Sequence, residues 1–385
     1  MLTDYSLKMP KNIYAGSHAL EQIATILPTG LKKVAIFTDK GILQANLLTI
    51  PQAVLDEAGL AYEIFADIPA EPDYHQAQAI VDQFKAADAD FIIAIGGGSV
   101  MDVAKLASIL AAGDYQVKDL LDDPLLAKKQ LPVLMIPTTA GTGSEATPNS
   151  IVGVPEQELK IGIVNPEMIA DYVILDGRLL KNLPQPIAAA TGVDALCHAI
   201  ECFTSTKRNP FGNTFALEAF DLIFNNIIEA CTNPEALAAK NKMLLGSFYA
   251  GVAITASGTT GIHALSYPLG GKYHIAHGVS NAILLMPVMR FNEPVIKDYF
   301  AQAYDRAVHD GQQHLSVDEK SQYILAQFEH IVTKLNIPTS LKTFNVPETD
   351  LEDLVAAGMQ VKRLLVNNMR EIKPEDARAI YKQVL

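Results

Sequence analysis

The first half of the chain alternates short apolar runs with stretches of helical period. Four of the apolar runs are rich in β-branched and aromatic residues and end in small or polar residues: 32–39, 61–67, 90–99 and 131–145. Between them, residues 75–87 and 100–112 repeat apolar positions at helical spacing. Apolar strands that alternate with amphipathic helices predict a parallel sheet covered on both faces. Residues 159–176 contain two more predicted strands, which we interpret as a hairpin over the sheet edge.

The pattern changes after about Asn182, where apolar positions recur at helical period and strand-like runs stop. Four long helical stretches are predicted in this half: 185–205, 212–232, 234–257 and 349–365. The sequence therefore predicts an α/β domain over residues 1–182 and an all-α domain over residues 183–385. A ligand site is expected in the cleft between two such domains.

Composition narrows the class of protein. A chain of 385 residues exceeds one ordinary core, and 49% hydrophobic with 19% charged residues is typical of a globular protein. A formal net charge of −13 argues against a nucleic-acid partner, because phosphate binding needs a basic surface. Three cysteines are too few for a secreted disulfide framework, so a cytoplasmic protein is expected. The N-terminal residues lack a signal-peptide pattern, and no apolar run reaches the length of about 20 residues that crosses a bilayer. No membrane partner is therefore expected.

A glycine-rich segment, GGGSVMD at 96–102, follows a predicted strand and opens a predicted helix. Gly97 and Gly98 let the backbone turn tightly, so a phosphate could approach the amides. The helix N-terminus at Ser99 would offer free N–H groups and a positive dipole end to that phosphate. Ser99 and Asp102 also fit a helix-capping pattern, so a purely structural interpretation stays open. The segment is not the G-x-G-x-x-G dinucleotide fingerprint.

A second polar loop, PTTAGTGSE at 137–145, also follows a predicted strand. Two such loops at the carboxyl ends of neighbouring strands are typical of the crevice where open α/β sheets bind nucleotides. Thr138, Thr139 and Thr142 would supply hydroxyl groups there, although turn formation and capping explain any one of them equally well.

Asp39 ends an early predicted strand in the same domain. A carboxylate at this position would accept hydrogen bonds from an adenosine ribose and would repel a 2′-phosphate, which favours NAD over NADP. A solvated loop aspartate is the alternative.

Histidines and one aspartate suggest a metal site in the second half. Asp194 and His198 are four residues apart in an apolar helical stretch, so they share one helix face. A buried pair that satisfies its own hydrogen bonds is the simpler interpretation of these two residues. Three more histidines, His263, His274 and His277, lie close together in a later stretch of apolar and small residues. Asp194, His198, His263 and His277 would together form a one-carboxylate, three-imidazole set typical of Fe²⁺ or Zn²⁺.

These motifs, in this order, resemble the iron-containing alcohol dehydrogenase family. The resemblance covers nearly the whole chain, and the combination of motifs is highly specific, although no single piece of it is. It is carried by five segments: GGGSVMDVAK, PTTAGTGSEAT, KIGIVNPEMIADYVILD, GVDALCHAIECFTS and GIHALSYPLGGKYHIAHGVSNAILL.

The resemblance implies an N-terminal dinucleotide-binding domain, a helical catalytic domain and a metal in the cleft between them. It implies hydride transfer between NAD and a small primary alcohol or diol, with the metal as Lewis acid, and a homodimer or larger assembly. Fe²⁺ is the implied metal and Zn²⁺ its main competitor. The residues aligned with metal ligands are Asp194, His198, His263 and His277. Those aligned with cofactor contacts are Asp39, Gly97, Gly98, Ser99, Asp102, Thr138, Thr139, Thr142 and Lys160.

Tyr267 departs from the family pattern, in which a histidine with an assigned proton-handling role is common at this position. The phenol has an ordinary pKa near about 10, which suits proton transfer at neutral pH poorly. We therefore expect Tyr267 to line the catalytic site without being the obligatory proton carrier. Bound water, the ribose hydroxyls or His274 would then take the proton.

Two other functions remain open from the sequence. A related fold carries a cyclising lyase, dehydroquinate synthase, but its multiply charged substrate calls for more basic residues than these segments contain. A non-catalytic NAD- and metal-binding assembly subunit is the second alternative, and Tyr267 is the only feature that favours it.

Overall fold

The computed structural model describes residues 4–157, 159–309, 311 and 314–385. The chain divides into two compact units, Lys8–Leu183 and Pro184–Leu385, and residues 4–7 group with the second. The first unit is built on a β-sheet and the described part of the second is helical.

The sheet of the first unit is parallel, as predicted. The strands are β1 (Asn12–Ala15), β2 (Lys33–Phe37), β3 (Ala61–Phe65), β4 (Phe91–Gly96), β5 (Val133–Pro137), β6 (Asn149–Val154), β7 (Leu159–Val164) and β8 (Tyr172–Leu175). Six of them form one sheet in the order β1-β8-β5-β4-β2-β3, and every neighbouring pair is parallel. β4 and β5 are buried along their whole length, which explains their unbroken apolar runs.

The predicted hairpin within residues 159–176 is wrong. β7 pairs antiparallel with β6, a strand that was not predicted, whereas β8 joins the main sheet between β1 and β5. β6 alternates half-buried and buried residues, and it begins at Asn149, shortly after the polar loop 137–145. β1 was also missed because it has only four residues and they are at most partly buried.

The helices of the first unit are α1 (Ile23–Ile26), α2 (Lys40–Gln44), α3 (Thr49–Glu57), α4 (Tyr74–Lys85), α5 (Gly98–Leu110) and α6 (Val117–Asp122). The two helices predicted at 75–87 and 100–112 correspond to α4 and α5. α5 is buried at every position from Val100 to Leu110, so it packs on all sides within this unit.

The strand order brings three carboxyl ends to one edge of the sheet. Phe37 of β2 is in register with Ala94 of β4, and Gly96 of β4 is in register with Pro137 of β5. β3 lies beside β2 at one end of the sheet, whereas β5 and then β8 lie beyond β4 in the other direction. The direction of winding therefore reverses between β2 and β4, which is the type of position where open α/β sheets bind ligands.

The second unit contains α7 (Gln185–Phe203), α8 (Pro210–Thr232), α9 (Leu237–Ser257), α10 (Gly261–Tyr273), α11 (His277–Ala307), α12 (Val317–Lys334), α13 (Leu351–Gln360), α14 (Lys362–Leu365) and α15 (Pro374–Tyr381). The helix predicted at 349–365 is broken at Val361, which separates α13 from α14. Leu364 of α14 packs against Tyr267 of α10. None of the helices in the described residues combines the length and the apolar character needed to span a membrane.

Candidate active site

Helix α7 places Asp194 and His198 one turn apart on a buried face. Pro184 precedes the helix and Pro186 lies in its first turn, where a missing N–H costs little. The helix then remains buried from Gly192 to Phe203, so the pair has apolar neighbours on its own helix. Asp194 is 2% exposed and His198 is 5% exposed.

The other two histidines come from the starts of α10 and α11. His263 lies in the first turn of α10 and is 2% exposed, and His277 is the first residue of α11. Gly278 allows α11 to start against α7, because a Cβ atom there would lie 2.6 Å from the carbonyl carbon of Ala190. A side chain at position 278 would push His277 away from Asp194.

The structure brings these four side chains into one cluster. From Asp194 Oδ1 to the Nε2 atoms, the distances are 3.7 Å for His198, 3.5 Å for His263 and 3.6 Å for His277. One ligand-type atom from each of the four residues lies within 4.8 Å of all the others. The His198 and His263 rings are stacked, with centroids 4.6 Å apart.

The electrostatics of the cluster favour a bound cation. Burial by itself would raise the pKa of the Asp194 carboxyl, but the three imidazoles around it hold that pKa well below its usual range. Burial also opposes a charge on His263, yet the carboxylates of Glu201 and Asp194 raise its pKa to about 9. A metal ion would displace this proton, so metal binding is expected to release protons and to weaken at low pH.

The four residues fit a divalent transition-metal ion. Three imidazole nitrogens and one carboxylate oxygen form a mixed set of donors that suits Fe²⁺ or Zn²⁺. The separations of 3.5–3.7 Å around Asp194 Oδ1 are close to the edge of about 3.4 Å expected for a tetrahedron of ligands about 2.1 Å from an ion.

Glu201 supports the cluster and was missed in the sequence analysis. This residue is fully buried, and its Oε2 is hydrogen bonded to His263 Nδ1. Its Oε1 accepts a hydrogen bond from the backbone N–H of Ile262 at 2.7 Å, at the start of α10. Glu201 therefore caps α10 and turns His263 Nε2 towards Asp194. The spacing Asp194, His198, Glu201 places three polar residues on one helix face, a signal that the sequence already contained.

The glycine segment forms the start of α5. Gly97 is the N-cap and Gly98 the first helical residue, so the backbone amides of this turn lie at the helix N-terminus. A Cβ atom on Gly98 would lie 2.7 Å from Thr142 Cγ2, which shows how closely the two predicted loops pack. Ser99 Oγ accepts a hydrogen bond from the backbone N–H of Glu71 at 2.9 Å.

Asp102 is engaged in holding this region together. Its Oδ1 accepts hydrogen bonds from Ser144 Oγ at 2.5 Å and from Lys105 Nζ at 3.2 Å, and its Oδ2 accepts one from the backbone N–H of Ile151 at 2.8 Å. Lys105 is fully buried, and burial lowers the pKa of its ammonium group against the opposing effect of Asp102. The capping interpretation is wrong for Ser99 and Asp102, because the N-cap of α5 is Gly97 and no side chain caps this helix; Asp102 instead ties α5 to the second loop and to β6.

The threonines of the second loop differ in exposure. Thr138 is buried and its backbone N–H donates to the carbonyl of Gly96 at 3.0 Å, whereas Thr139 and Thr142 are partly exposed. Glu145 follows them and is 1% exposed. Burial raises the pKa of the Glu145 carboxyl to about 7, and its Oε1 has no hydrogen-bond partner among the described residues.

Asp39 and Lys160 both have protein partners. Asp39 follows β2 and is the N-cap of α2, where its Oδ1 accepts from the backbone N–H of Ile42 at 3.0 Å. Lys160 Nζ lies 2.5 Å from Glu71 Oε2, in a pair whose lysine side chain is 11% exposed. A cofactor contact by Lys160 would compete with Glu71.

Comparison with known proteins assigns the chain to a family. The family model described as iron-containing alcohol dehydrogenase matches residues 10–177, and the one described as Fe-containing alcohol dehydrogenase family, C-terminal, matches residues 188–385. The chain belongs to the iron-containing alcohol dehydrogenase family. Its predicted family, fold class and enzyme class are therefore confirmed.

Relatives of this iron-containing alcohol dehydrogenase match it from end to end. Long-chain-alcohol dehydrogenase 1 of Geobacillus thermodenitrificans (strain NG80-2) is 35% identical over 376 residues, which are 97% of this chain and 94% of the relative. The crystal structure of a 1,3-propanediol oxidoreductase superposes with a TM-score of 0.93 at 27% identity and covers 100% of both chains. The structure of a sulfoacetaldehyde reductase from Bifidobacterium kashiwanohense in complex with NAD⁺ has a TM-score of 0.85 at 29% identity, covering 100% of this chain and 99% of the other.

Tyr267 and His274 differ in their relation to the cluster. The Tyr267 ring centroid lies 6.0 Å from that of His277, and the tyrosine is 9% exposed. Burial raises the pKa of the phenol, so it stays protonated at neutral pH. His274 ends α10 in a left-handed backbone conformation with φ of 55°, and the residue is exposed. In this alcohol dehydrogenase Tyr267 thus packs beside a candidate ligand, while His274 forms the turn before His277.

Proposed function

We propose that the protein is an NAD-dependent, metal-dependent alcohol dehydrogenase that interconverts a small primary alcohol or diol and its aldehyde by hydride transfer. The observation that carries this proposal is the convergence of Asp194, His198, His263 and His277 on one buried point of the helical unit. We propose Fe²⁺ as the resident ion, because the family is iron-containing, with Zn²⁺ as the competitor that the same donors accept.

The α/β unit supports the nucleotide half of the proposal. Gly97 and Gly98 open α5 directly after β4, and Asp39 follows β2 across the point where the winding of the sheet reverses. Backbone amides at a helix N-terminus suit a pyrophosphate, and a carboxylate suits a ribose diol. The proposed cofactor contacts are Asp39, Gly97, Gly98, Ser99, Asp102, Thr138, Thr139, Thr142 and Lys160. A relative of similar fold is described as an NAD⁺ complex.

The mechanism assigns separate tasks to the residues of the chain. A divalent ion held by the four-residue cluster would supply Lewis acidity towards an alcohol or carbonyl oxygen, and a nicotinamide would accept or donate the hydride. Glu201 holds the Nδ1 side of His263, which leaves Nε2 for the cluster. The ionised Asp194 neutralises positive charge in a buried site, where a charge without a partner is costly.

Tyr267 and His274 complete the proposal, the first as a hydrogen-bonding residue beside the cluster and the second as one candidate for releasing the hydroxyl proton. The protonated Tyr267 phenol packs beside His277 and can donate a hydrogen bond to a substrate oxygen. His274 is exposed to solvent. We assign packing and hydrogen bonding to Tyr267, and proton release to water, the ribose hydroxyls or His274.

We also propose a cytoplasmic homodimer or larger homo-oligomer. Cys197, Cys202 and Cys231 are free thiols, which agrees with a reducing compartment. Size-exclusion chromatography with light scattering measures the assembly directly, and a monomer at micromolar concentration would contradict it.

The proposed function is tested with a substrate panel. The protein is stripped of metal, reloaded with Fe²⁺ under anaerobic conditions or with Zn²⁺, and assayed by NADH absorbance against short primary alcohols, diols and their aldehydes. We expect turnover that requires metal and that is faster with NAD⁺ than with NADP⁺. Stoichiometric metal without turnover on any member of the panel would contradict the proposed chemistry.

A further inference from the structure

The side-chain amide of Asn281 is buried and lies in direct contact with the candidate metal ligands. It lies one turn after His277 on α11 and is fully buried. Its Nδ2 donates to Asp194 Oδ1 at 2.6 Å, and the same nitrogen lies 3.1 Å from His263 Nε2 and 3.3 Å from His277 Nε2. One amide group therefore faces three of the four candidate ligands.

The other half of this amide shows that packing alone does not explain it. Asn281 Oδ1 is buried and has no hydrogen-bond partner among the described residues. A buried polar atom left in this way costs about 1–3 kcal/mol, which a leucine of similar size would avoid. The favourable part of the side chain is the N–H that reaches Asp194, at a distance typical of a hydrogen bond to a charged acceptor.

We propose that Asn281 is a positioning residue of the metal site, which orients the Asp194 carboxylate towards the three imidazoles and thereby raises metal affinity. The inference rests on the proposed metal site. Glu201 acts on the cluster through His263, and Asn281 acts through Asp194, so the carboxylate and one imidazole each have a buried hydrogen-bonding partner that fixes their direction. In metal sites of proteins, loss of such a supporting partner typically weakens metal affinity about 10–100-fold.

The test compares two substitutions that remove the donor but differ in size, Asn281→Leu and Asn281→Ala. Zn²⁺ affinity is measured by competition with a chromogenic chelator, and the visible spectrum of Co²⁺-loaded protein reports the geometry of the ligands. Thermal unfolding of chelator-treated and Zn²⁺-loaded protein completes the set. Both variants should bind Zn²⁺ about 10–100-fold more weakly and should alter the Co²⁺ spectrum, because both lack the N–H group.

A packing role gives a different pattern. It would leave Asn281→Leu with wild-type Zn²⁺ affinity and an unchanged Co²⁺ spectrum, with only Asn281→Ala impaired, and this result would overturn the proposal. Asn292→Leu is the matched control, since Asn292 is a buried asparagine of the same helix whose amide bonds with Asn368. The control should lower the unfolding temperature without changing Zn²⁺ affinity. If the wild type itself bound no Zn²⁺, Fe²⁺ or Co²⁺, the proposed function would fail, which differs from equal binding by the wild type and Asn281→Leu.

Discussion

The candidate metal site of the helical unit and the glycine loops of the α/β unit differ in the chemical groups that they offer to a ligand. In the cluster, side-chain atoms converge on one point, and Glu201 and Asn281 hold two of the four residues in direction. In the loops, the carboxylate of Asp102, a predicted cofactor contact, accepts hydrogen bonds from Ser144 and Ile151. Asp39, another predicted cofactor contact, caps a helix. We therefore propose that side chains would bind the ligand in the first region, whereas backbone amides would do so in the second. The two regions should respond differently to substitution.

The largest effect is expected in the cluster, where a side chain is itself a proposed ligand. His277→Ala removes one of four donors, so metal affinity should fall by more than about 100-fold, beyond the loss typical of a supporting partner. Turnover should fall with it. Metal content by elemental analysis and NADH absorbance measure both quantities. His330→Ala, an exposed histidine of α12, is the control and should change neither. Retained metal and near-normal rates in His277→Ala would show that the cluster is not the metal site.

In the loops, the buried carboxyl group of Glu145 should make the free energy of unfolding depend on pH. The pKa of Glu145 is raised to about 7 in the folded protein, against an ordinary value of 4.5. Below pH 4.5 both states hold the proton. Between pH 4.5 and 7 only the folded state holds it, so the free energy of unfolding falls as pH rises, by up to about 3 kcal/mol, and levels off above pH 7.

Glu145→Gln should abolish this dependence and be more stable than the wild type at pH 8. Denaturant unfolding at pH 4.5, 6 and 8 measures the difference in unfolding free energy between the two proteins. Glu57→Gln, an exposed glutamate of α3, should show no such trend. A difference that stays constant with pH would mean that Glu145 is not a strained buried acid.

Crowding of the two loops is tested at Gly98, where a Cβ atom would meet Thr142. Gly98→Ala should destabilise the start of α5 by about 1–3 kcal/mol and weaken NADH binding, measured by fluorescence titration. Thr142→Ser removes the methyl group that the introduced Cβ atom would contact, so the double variant should recover part of both losses. If the double variant binds NADH no better than Gly98→Ala, the contact with Thr142 is not the cause.

A smaller effect is expected at Asp39, where a charge is removed but the helix cap is kept. Asp39→Asn retains an oxygen for the N–H of Ile42 and removes the charge that would repel a 2′-phosphate. The preference for NADH over NADPH, measured as the ratio of kcat/KM, should shift towards NADPH by about 1 kcal/mol, or about fivefold. An unchanged ratio would remove Asp39 from the cofactor site and leave it as a cap alone.

An effect of similar size is expected at Tyr267, which adjoins the cluster without being a proposed ligand. Tyr267→Phe should keep the metal and lose about 1 kcal/mol of transition-state stabilisation, the scale of one neutral hydrogen bond. The measurement is kcat against pH for both proteins, with metal content determined in parallel. A loss of about 1000-fold with metal retained would show that the phenol carries the proton.

Local patterns predicted most of the elements and the parts of each candidate site that lie within one short segment. The apolar runs predicted β2, β4 and β5, because strands buried on both faces need unbroken apolar residues, and they also predicted the edge strand β3, in which only Phe65 is buried. Helical periodicity predicted α7 and the shared face of Asp194 and His198, since a spacing of four residues is fixed by the helix itself. The strand-loop-helix order around Gly97 and Gly98 was equally local.

Tertiary structure alone decided the contacts that no local pattern encodes. The pairing of β7 with β6 rather than β8, the approach of α11 to α7 at Gly278, and the reach of Asp102 to β6 all depend on contacts with no periodic signal. For the same reason the residue types of Glu201 and Asn281 were visible in the sequence, but their partners were not. A hydrogen bond between residues 62 or 87 positions apart is a property of packed helices, and the order of residues along one helix does not contain it.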